Sequence, residues 1–490
     1  MKRGVLPPNL KRRLAAIVSD RRVSTSNETL MAYECDALTH FKQQPLAVIW
    51  PDTADQVSEI VRACVDEDVP FTPRGAGTGL SGGALPAIDG GILIDTSRMT
   101  RILEIDAENR VARVEPGLIN ARLSAAVQPL GLYYAPDPSS QLTCTIGGNV
   151  AENSGGPHCL KYGSTRRHVL SIELVLPDGE RAAIGTPSGR AHGVDLVSAI
   201  VGSEGTLGVV TAVTVRLLKQ PDTTETLLAA FPTLPHACNV VSAMVASGVR
   251  ASAIEALDQR TIEAVEASVF AAGYPPDAGA VLLVELDGPE LEVAADRSDI
   301  EEIFYDHNAL SVEVAHDAEH RKRLWKGRKG AFGAMGRIAP DLYVMDAVVP
   351  RSRLAEITRT ITDICDRHEL KMANVLHAGE GNLHPNICYD GRDSDEVARV
   401  HLANREIVLA CLKVGGALTG EHGVGVEKKE FMELFCGAAT LDLMQRFRTA
   451  LNPSNLCNPG KMLPTPRACT EPTGNSGLPS PSEAKGNHDD

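Results

Sequence analysis

The residues best suited to chemistry are two histidines and a later glutamate–histidine pair. His377 and His384 flank a short turn at the end of an apolar strand, and Glu421 and His422 lie in the Gly-rich segment 415–425. Two imidazoles and a carboxylate suit a borderline divalent metal with open positions for substrate, and a hairpin-like bend would bring the histidines together. Taken singly, each histidine also fits an ordinary hydrogen-bonded residue at a strand end.

Three Gly-rich segments indicate a second kind of chemistry, the binding of a large nucleotide. The first, Gly77-Thr78-Gly79-Leu80-Ser81-Gly82, fits the pattern of dinucleotide-binding loops, but Pro86 and a further strand follow it instead of a helix, which argues against a Rossmann fold. Glycines let backbone N–H groups turn inward around phosphate oxygens, beside Arg74. Segments 145–156 and 202–210 add backbone donors and room for a flat ring. A flexible surface loop is the alternative for the first segment.

The elements around these segments indicate mixed α+β organisation. Helical spacing after Thr53 predicts a helix, and a short strand at 70–73 leads into the glycines. Further strands are predicted at 91–95, 110–115, 171–176 and 208–218, with Asp178-Gly179 as a hairpin turn. From about residue 225 longer strands, at 227–231, 253–257 and 280–286, alternate with helices, which suggests a second sheet with helices on one face. A helix is predicted near 400–414.

The composition limits the function class. The chain of 490 residues has 48 Lys plus Arg against 63 Asp plus Glu, a net charge of -15, which disfavours a general role on nucleic acid or an anionic membrane. No secretory signal or integral membrane segment is expected, so a cytoplasmic location is predicted. The 11 cysteines are scattered singly, so any iron–sulfur centre would lie on another chain. Residues 464–490 are predicted to form a disordered tail.

The sequence resembles a known family. Arg74 to Gly83, Pro136 to Gly163 and Gly202 to Val209 look like the FAD-binding segments of the vanillyl-alcohol-oxidase type flavoproteins. From about Glu34 to Lys461 the chain is similar to the group that holds the D subunits of bacterial glycolate oxidases and the D-lactate and D-2-hydroxyglutarate dehydrogenases. The resemblance implies an α+β fold with a vanillyl-alcohol-oxidase type FAD-binding domain at 1–219. It also implies an α+β substrate (cap) domain at 220–415, with an antiparallel sheet and helices on one face, and a segment at 416–463 that completes the active site and the FAD domain.

The family implies noncovalently bound FAD, because Thr78 stands where covalent members have a flavin-linking histidine. The implied FAD contacts are Arg74, Gly75, Ala76, Gly77, Thr78, Gly79, Ser81, Gly82, Pro136, Asp137, Ser140, Gly147, Gly148, Asn149, Asn153, Gly155, Gly202, Glu204, Gly205, Gly208, Val209 and Asn458. The family signatures H-A-G-D-G-N-x-H-P and G-E-H-G imply His377, His384 and Glu421 as ligands of a divalent metal, which would be Zn, Fe or Mn. Glu380 departs from the pattern, since many members have Asp there.

The resemblance also implies roles in turnover. His422 looks like the base that takes the substrate hydroxyl proton, which suits an imidazole that titrates near neutral pH; a hydrogen-bonding role beside a ligand is the alternative. Arg328, in a cation-rich helical stretch that by default is a solvated face, would bind the substrate carboxylate. Tyr343 and Asn382 would be further substrate contacts, and Lys329 and Arg337 are taken as surface charges.

The expected reaction is FAD-dependent, metal-assisted oxidation of a small 2-hydroxy acid to the 2-oxo acid by hydride transfer to flavin N5. Glycolate is the first choice of substrate and D-lactate the second, with D-2-hydroxyglutarate as an alternative. The family implies flavoprotein-like and iron–sulfur companion subunits, which would hold the chain at the inner face of the membrane. A non-redox flavin-dependent transferase and a catalytically silent flavin-binding subunit are the competing hypotheses.

Overall fold

The N-terminal half contains two separate sheets. The computed structural model describes residues 5–88, 90–189 and 193–464. The strands of this half, within those residues, are β1 (Val23–Ser24), β2 (Ala47–Ile49), β3 (Phe71–Arg74), β4 (Ile92–Asp95), β5 (Ile102–Asp106), β6 (Val111–Val114), β7 (Leu132–Tyr133), β8 (Val169–Val175), β9 (Arg181–Gly185), β10 (Val209–Arg216) and β11 (Leu218–Lys219). The helices are α1 (Pro8–Val18), α2 (Asn27–Ala32), α3 (Ala54–Asp66), α4 (Asn120–Val127), α5 (Ile146–Glu152), α6 (Cys159–Tyr162) and α7 (Leu196–Ile200).

The first sheet has the order β1-β2-β4-β3, with β2, β4 and β3 parallel, and the second is antiparallel with the order β5-β6-β10-β8-β9. Helix α3 joins them, because its buried face packs on Ile94 of one sheet and Val209 of the other. Its start was predicted correctly: the Thr53 hydroxyl caps it by accepting the backbone N–H of Gln56 at 3.2 Å. The predicted turn at Asp178-Gly179 joins the antiparallel strands β8 and β9.

The C-terminal half is built on one large antiparallel sheet. Its strands are β12 (Thr223–Phe231), β13 (Ala251–Asp258), β14 (Ala280–Gly288), β15 (Ser311–Val314), β16 (Asp341–Val344), β17 (Ala347–Val348), β18 (Lys371–His377) and β19 (Asn382–Tyr389). The sheet order is β15-β12-β14-β13-β18-β19-β16, with β17 on β19. The helices are α8 (Leu234–Ser247), α9 (Gln259–Glu266), α10 (Glu290–Asp306), α11 (Ala318–Met335), α12 (Leu354–Arg367), α13 (Ser394–Lys413) and α14 (Met432–Leu451, broken at Gly437).

The expectation of helices on one face of this sheet is incomplete. Helices α8, α10, α12 and α13 pack on one face, and α9 and α11 cover part of the other, where Leu283 and Val281 point. The cause is visible in β14, whose residues from Ala280 to Leu286 are buried on both faces. Strands buried on both sides are apolar at nearly every position and do not alternate. The spacing of apolar residues therefore could not show whether helices cover one face or both faces of the sheet.

The end of the chain returns to the N-terminal half. The backbone of Cys457 forms an isolated parallel β-bridge with Phe71 of β3, and the Asn458 side chain donates to the carbonyls of Gly83 and Glu204. The proposed boundary after residue 219 falls between β11 and β12. Nearly all of the tail predicted at 464–490 lies outside the described residues. No helix in the described ranges has the length and hydropathy needed to cross a lipid bilayer.

Candidate active site

A cavity of about 580 Å³ lies between the two halves of the chain. Its wall at one end consists of the glycine loop after β3, the start of α5 and the loop before β10. At the other end it reaches His377, His384, Glu421 and His422. The nucleotide-binding segments and the candidate metal ligands, which are more than 160 residues apart in the sequence, therefore share one cavity.

Most of the predicted FAD contacts line this cavity. They are Arg74, Gly75, Ala76, Gly77, Thr78, Gly79, Ser140, Gly147, Gly148, Asn149, Glu204, Gly205, Gly208 and Val209. Arg74 lies under the glycine loop, where its guanidinium donates to the Cys35 carbonyl at 2.8 Å. Gly77, at φ +68°, passes so close that an added Cβ would lie 2.3 Å from Arg74 Nη2. The loop conformation thus depends on glycine at this position.

The remaining predicted FAD contacts hold the loops together instead of lining the cavity. Asp137 accepts from the His158 ring Nδ1 at 2.8 Å, which directs its carboxylate away from the cavity. Asn153 closes the end of α5 at φ 53° and accepts from Arg166 N. Asn458 ties two loops through its amide, as described above. The others outside the wall are Ser81, Gly82, Pro136, Gly155 and Gly202.

The cavity fits FAD on two observations besides its size. The Asn149 amide nitrogen is buried in the wall and has no hydrogen-bond partner among the described residues, so it is a donor in need of an acceptor. Backbone segments also meet closely there: a Cβ on Gly75 would lie 2.4 Å from Thr145 Oγ1, and one on Gly147 would lie 2.6 Å from the Pro116 side chain. A wall made of backbone suits a large flat ligand with many acceptors.

The predicted metal ligands converge. Strands β18 and β19 form a hairpin in which His377 pairs with Asn382 and His384 with Val375. Glu421 Oε1 lies 3.0 Å from His377 Nε2 and 3.1 Å from His384 Nε2. Gly155 allows this approach, since a Cβ there would lie 2.7 Å from Glu421 Oε2. The sequence prediction that these three side chains meet agrees with this geometry.

The charges of this cluster fit a cation. Burial disfavours the charged imidazole, but Glu255 and Glu421 outweigh burial and raise the pKa of His377 to about 10. Burial would raise the pKa of Glu421, yet His377 and His384 keep it well below the ordinary value. Burial raises the pKa of Glu380 to about 7. A proton on His377 thus balances acids that a divalent cation between the two Nε2 atoms would balance instead.

Each of the two candidate ligand histidines has a different group behind its Nδ1 atom. His384 Nδ1 lies 3.0 Å from the backbone carbonyl oxygen of Met345. His377 Nδ1 lies 2.9 and 3.0 Å from the carboxylate oxygens of Glu255, which in turn forms an ion pair with Arg328. In both cases Nδ1 is occupied and Nε2 points to Glu421.

Asp346 organises the loop that carries Glu421 and His422. Its carboxylate accepts the backbone N–H groups of Gly420 at 3.0 Å and His422 at 3.1 Å, and also the Thr419 hydroxyl. Burial would raise the pKa of Asp346, but Lys428, with Nζ 3.4 Å away, holds it far below the ordinary value. The sequence analysis missed Asp346; the available signal was a single acid inside an otherwise apolar strand region.

His422 lies in the cavity wall with its ring stacked on His384, 4.8 Å between centroids and 12° between planes. Its Nε2 is 4.0 Å from Glu421 Oε1, on the side of the metal ligands, and its Nδ1 is buried without a partner among the described residues. Burial lowers the pKa of His422 to about 4, so the ring is neutral at neutral pH. A neutral imidazole beside the ligands is able to accept a proton.

The predicted substrate contacts require corrections. Arg328 is fully buried on Glu255, behind the cavity wall, although its Nε and Nη1 have no partner within the described chain. Tyr343 points away from the cavity because successive strand residues face opposite sides: Leu342 and Val344 line the wall, and the Tyr343 hydroxyl contacts Asn404. Asn382 packs against Gly420 outside the wall.

Lys329, taken from the sequence as a surface charge, lines the cavity with its Nζ 3.8 Å from Asp137. Its side chain is 32% exposed, so it is the cation of α11 that a ligand in the cavity can reach. Arg328 and Lys329 are adjacent on a helix and therefore point in directions about 100° apart. Lys329, expected to be a surface charge, thus lines the cavity, whereas Arg328 lies outside the wall and keeps its Nε and Nη1 without a partner among the described residues.

Comparison with known proteins agrees with this arrangement. Residues 45–185 match the family described as FAD binding domain, and residues 220–462 match FAD linked oxidases, C-terminal domain. The chain is 43% identical to the glycolate oxidase subunit GlcD of Escherichia coli (strain K12) over 91% of this chain and 89% of that protein. It is 33% identical to the mitochondrial D-lactate dehydrogenase [cytochrome] of Arabidopsis thaliana, over 87% of this chain and 74% of that one.

Among solved structures, p-cresol methylhydroxylase with substrate bound superposes with a TM-score of 0.80 at 16% identity, over 94% of this chain and 98% of that one. At this identity the likeness concerns the fold. The predicted fold class, a vanillyl-alcohol-oxidase type FAD-binding domain with a mixed α and β second domain, is confirmed. FAD as the cofactor is confirmed as well.

Proposed function

The chain belongs to the FAD-linked oxidases, in the family of the glycolate oxidase subunit GlcD, and from this premise we propose that it oxidises a small 2-hydroxy acid with the help of a divalent metal. Glycolate is our first choice of substrate and D-lactate the second. One observation carries the proposal: His377, His384, Glu421 and His422 meet at the end of the cavity that the FAD-binding segments line.

The residues of the cluster have distinct tasks in this proposal. His377, His384 and Glu421 would hold the metal, which would supply positive charge to lower the pKa of the substrate hydroxyl. FAD, when bound, accepts the hydride that leaves the α-carbon. His422 takes the hydroxyl proton at Nε2, the ring nitrogen on the ligand side. Asp346 fixes the backbone of His422 and so orients the base, and the product is the 2-oxo acid.

A substrate carboxylate needs a cation, and two are available. Arg328 offers a free edge, Nε and Nη1, at a fully buried position, and Lys329 is in the cavity wall. We propose Arg328 as the partner, because a guanidinium edge matches a carboxylate in two hydrogen bonds. If this is right, Arg328→Lys raises KM much more than Lys329→Met does. The opposite order would assign binding of the substrate carboxylate to Lys329.

We further propose that the chain works with companion subunits, one flavoprotein-like and one iron–sulfur, as the word subunit in the relative's name suggests. The support is α14, whose Leu434, Phe435, Leu443, Met444 and Phe447 are all exposed. Apolar groups clustered in this way are typical of surfaces that another protein covers.

The test of the partner proposal is purification from the native host. Leu443→Asp with Phe447→Asp should separate the chain from an iron-containing protein that copurifies with the parent, whereas Leu291→Asp, at a residue 87% exposed on α10, should not. Retention of the iron protein by the α14 variant would contradict the proposal. A self-dimer that the α14 variant dissociates would assign the surface to a second copy instead.

The experiment that tests the reaction is anaerobic mixing of the purified, metal-replete protein with glycolate, D-lactate, L-lactate and D-2-hydroxyglutarate in turn. The flavin absorbance is followed after each addition. Rapid bleaching by glycolate, with slower bleaching by D-lactate, is the expected result. Bleaching by D-2-hydroxyglutarate alone would identify that acid, and not glycolate, as the substrate. No bleaching by any acid would replace the proposal with a flavin-dependent transferase or a catalytically silent subunit.

A further inference from the structure

Behind His377 lies an ion pair that none of the roles above explains. Glu255 is in the middle of the large sheet on β13, and Arg328 is on α11; both side chains are 0% exposed. The pairing of Ala256 with Leu376 between β13 and β18 places Glu255 opposite His377. Glu255 Oε1 and Oε2 lie 2.9 and 3.0 Å from His377 Nδ1, and Oε2 also binds Arg328 Nη2.

A buried ion pair of this kind contributes little to the stability of the fold. Taking a carboxylate and a guanidinium out of water costs several kcal/mol per ion, and an apolar pair of the same volume is often equally stable or better. Glu255 nevertheless lies with both carboxylate oxygens against a candidate metal ligand, and Arg328 contacts the same carboxylate from the other side.

We infer that Glu255 is a positioning residue, held in place by its ion pair with Arg328, that accepts a hydrogen bond from His377 Nδ1–H and so leaves the Nε2 lone pair free for a metal. The inference rests on the proposed function, because it presumes that His377 binds a metal. A carboxylate acceptor also makes the imidazole a stronger electron donor than a neutral acceptor does. His384, with a backbone carbonyl behind it, is then the weaker of the two histidine ligands.

If Glu255 and Arg328 support the metal site, their substitution lowers metal affinity, whereas substitution of a purely structural ion pair lowers only stability. Without Arg328 the buried Glu255 would lose the cation that balances its charge and the contact that fixes its carboxylate against His377. Arg328→Met should therefore weaken metal binding much as Glu255→Gln does, even though Arg328 touches no metal ligand except His377 Nδ1, at 3.3 Å. Because both changes act through one pair, the double variant should lose no more metal affinity than Glu255→Gln alone.

The experiment titrates Mn²⁺ into metal-free, FAD-loaded protein and measures free Mn²⁺ by electron paramagnetic resonance. We expect Glu255→Gln to weaken Mn²⁺ binding roughly 10-fold and Glu255→Leu roughly 100-fold, the range typical of groups that support a ligand histidine. FAD content should stay at the parental level. The matched control is Glu285→Gln: Glu285 is also buried, on the neighbouring strand β14, and contacts a histidine, His158 at 2.8 Å, that is no metal ligand.

Three results decide between the possibilities. Parental Mn²⁺ affinity in Glu255→Gln, or an equal loss in Glu285→Gln, would overturn the role of Glu255 while leaving the metal site in place. Parental affinity in His384→Ala would instead overturn the metal site, and the inference with it. If the Glu255 variants fail to fold, nitrogen NMR of ¹⁵N-histidine in Zn²⁺-loaded parental protein still tests the inference, because a His377 ring without a proton on Nδ1 contradicts it.

Discussion

The two ends of the cavity are built in different ways. The FAD end is made of backbone from the glycine loop, α5 and the loop before β10, with few charged groups. The other end, called the metal end after the site proposed there, is made of side chains, in which His377, His384 and Glu421 meet and are supported by the buried acids Glu255 and Asp346. Backbone recognises a large ligand by shape and N–H groups, whereas the buried charges would hold one small cation and one proton. A change at one end should therefore leave binding at the other end largely intact.

The strongest test of this separation is His384→Ala. Removal of one of the two imidazoles should abolish metal binding and reduce substrate-driven bleaching of the flavin to background, while FAD stays bound. Metal content, flavin absorbance and the bleaching rate measure the three properties on one sample. Full bleaching by metal-free protein would remove the metal from the mechanism, and loss of FAD from the variant would contradict the independence of the two ends.

His422→Ala divides the metal end itself into ligands and base. Loss of a general base typically slows proton transfer about 10²- to 10⁴-fold. We expect flavin reduction by substrate to fall by that factor with both metal and FAD retained, because His422 contacts the ligands without being one of them. Rapid mixing under anaerobic conditions measures the rate. A variant reduced at the parental rate would leave His422 with the role of a hydrogen-bonding neighbour.

Asp346→Asn should have a smaller effect on the same loop. The amide cannot replace a charged acceptor that holds the N–H groups of Gly420 and His422, so Glu421 loses its fixed position. Metal affinity is expected to fall roughly 10- to 100-fold, as for other groups that support a ligand. The control is Asp346→Asn combined with Lys428→Met, which removes the buried cation left without its partner; it should recover thermal stability but not metal affinity. Recovery of both would mean that Asp346 acts through stability alone.

These residues also mark how far sequence alone could lead. The glycine loop in the cavity wall and the convergence of His377, His384 and Glu421 could be predicted, because backbone that must approach phosphate needs glycine and a metal site would need imidazole and carboxylate close together. Asp346 and Glu255 were not predicted, since each acts through a partner that only folding brings near. The only trace they leave in the sequence is an acid among apolar residues, as Glu255 is within residues 251–257.

The direction in which a side chain points was the other property that the sequence did not reveal. On α11 the cations Arg328 and Lys329 differ only in the side of the helix they occupy, and on β16 Tyr343 faces away from its cavity-lining neighbours Leu342 and Val344. A shift of one residue reverses which side chain reaches a cavity, and the sequence does not give the rotation of a helix or the parity of a strand relative to a distant wall. The unexpected placements of Lys329 and Tyr343 are of this kind, whereas that of Asn382, two residues before His384 on the same face of β19, is not.

The FAD end can be tested by Gly77→Ala. The new Cβ would lie 2.3 Å from Arg74 Nη2 at a φ of +68°, so either the Arg74 guanidinium or the loop must move. We expect FAD affinity to fall about 10-fold, equivalent to about 1.4 kcal/mol, with metal affinity unchanged. Gly131→Ala is the matched control, since Gly131 has a φ of +70° and no atom within 4 Å of the added Cβ, and it should bind FAD normally. Equal losses in both variants would assign the effect to backbone strain.

The smallest effect is expected where the two halves are joined. His158 lies between Asp137 of the N-terminal half and Glu285 of the large sheet, 2.8 Å from each carboxylate. Burial would lower its pKa, but Asp137 and then Glu285 raise it well above the ordinary value. His158→Gln should therefore lower the thermal unfolding midpoint by a few degrees, on the order of 2–4 °C for each kcal/mol lost in a domain of about 200 residues, without changing metal affinity.

The pH dependence of this loss identifies its cause. A histidine whose pKa is raised on folding contributes all of its stability below the unfolded pKa of about 6.5 and loses it as the pH rises through the folded pKa. The difference between parent and His158→Gln should be greatest at about pH 6 and shrink in alkaline buffer. A difference that stays constant with pH would mean that His158 joins the two halves by packing, including its ring contact with Trp325. The charged bridge from Asp137 through His158 to Glu285 would then contribute little to stability.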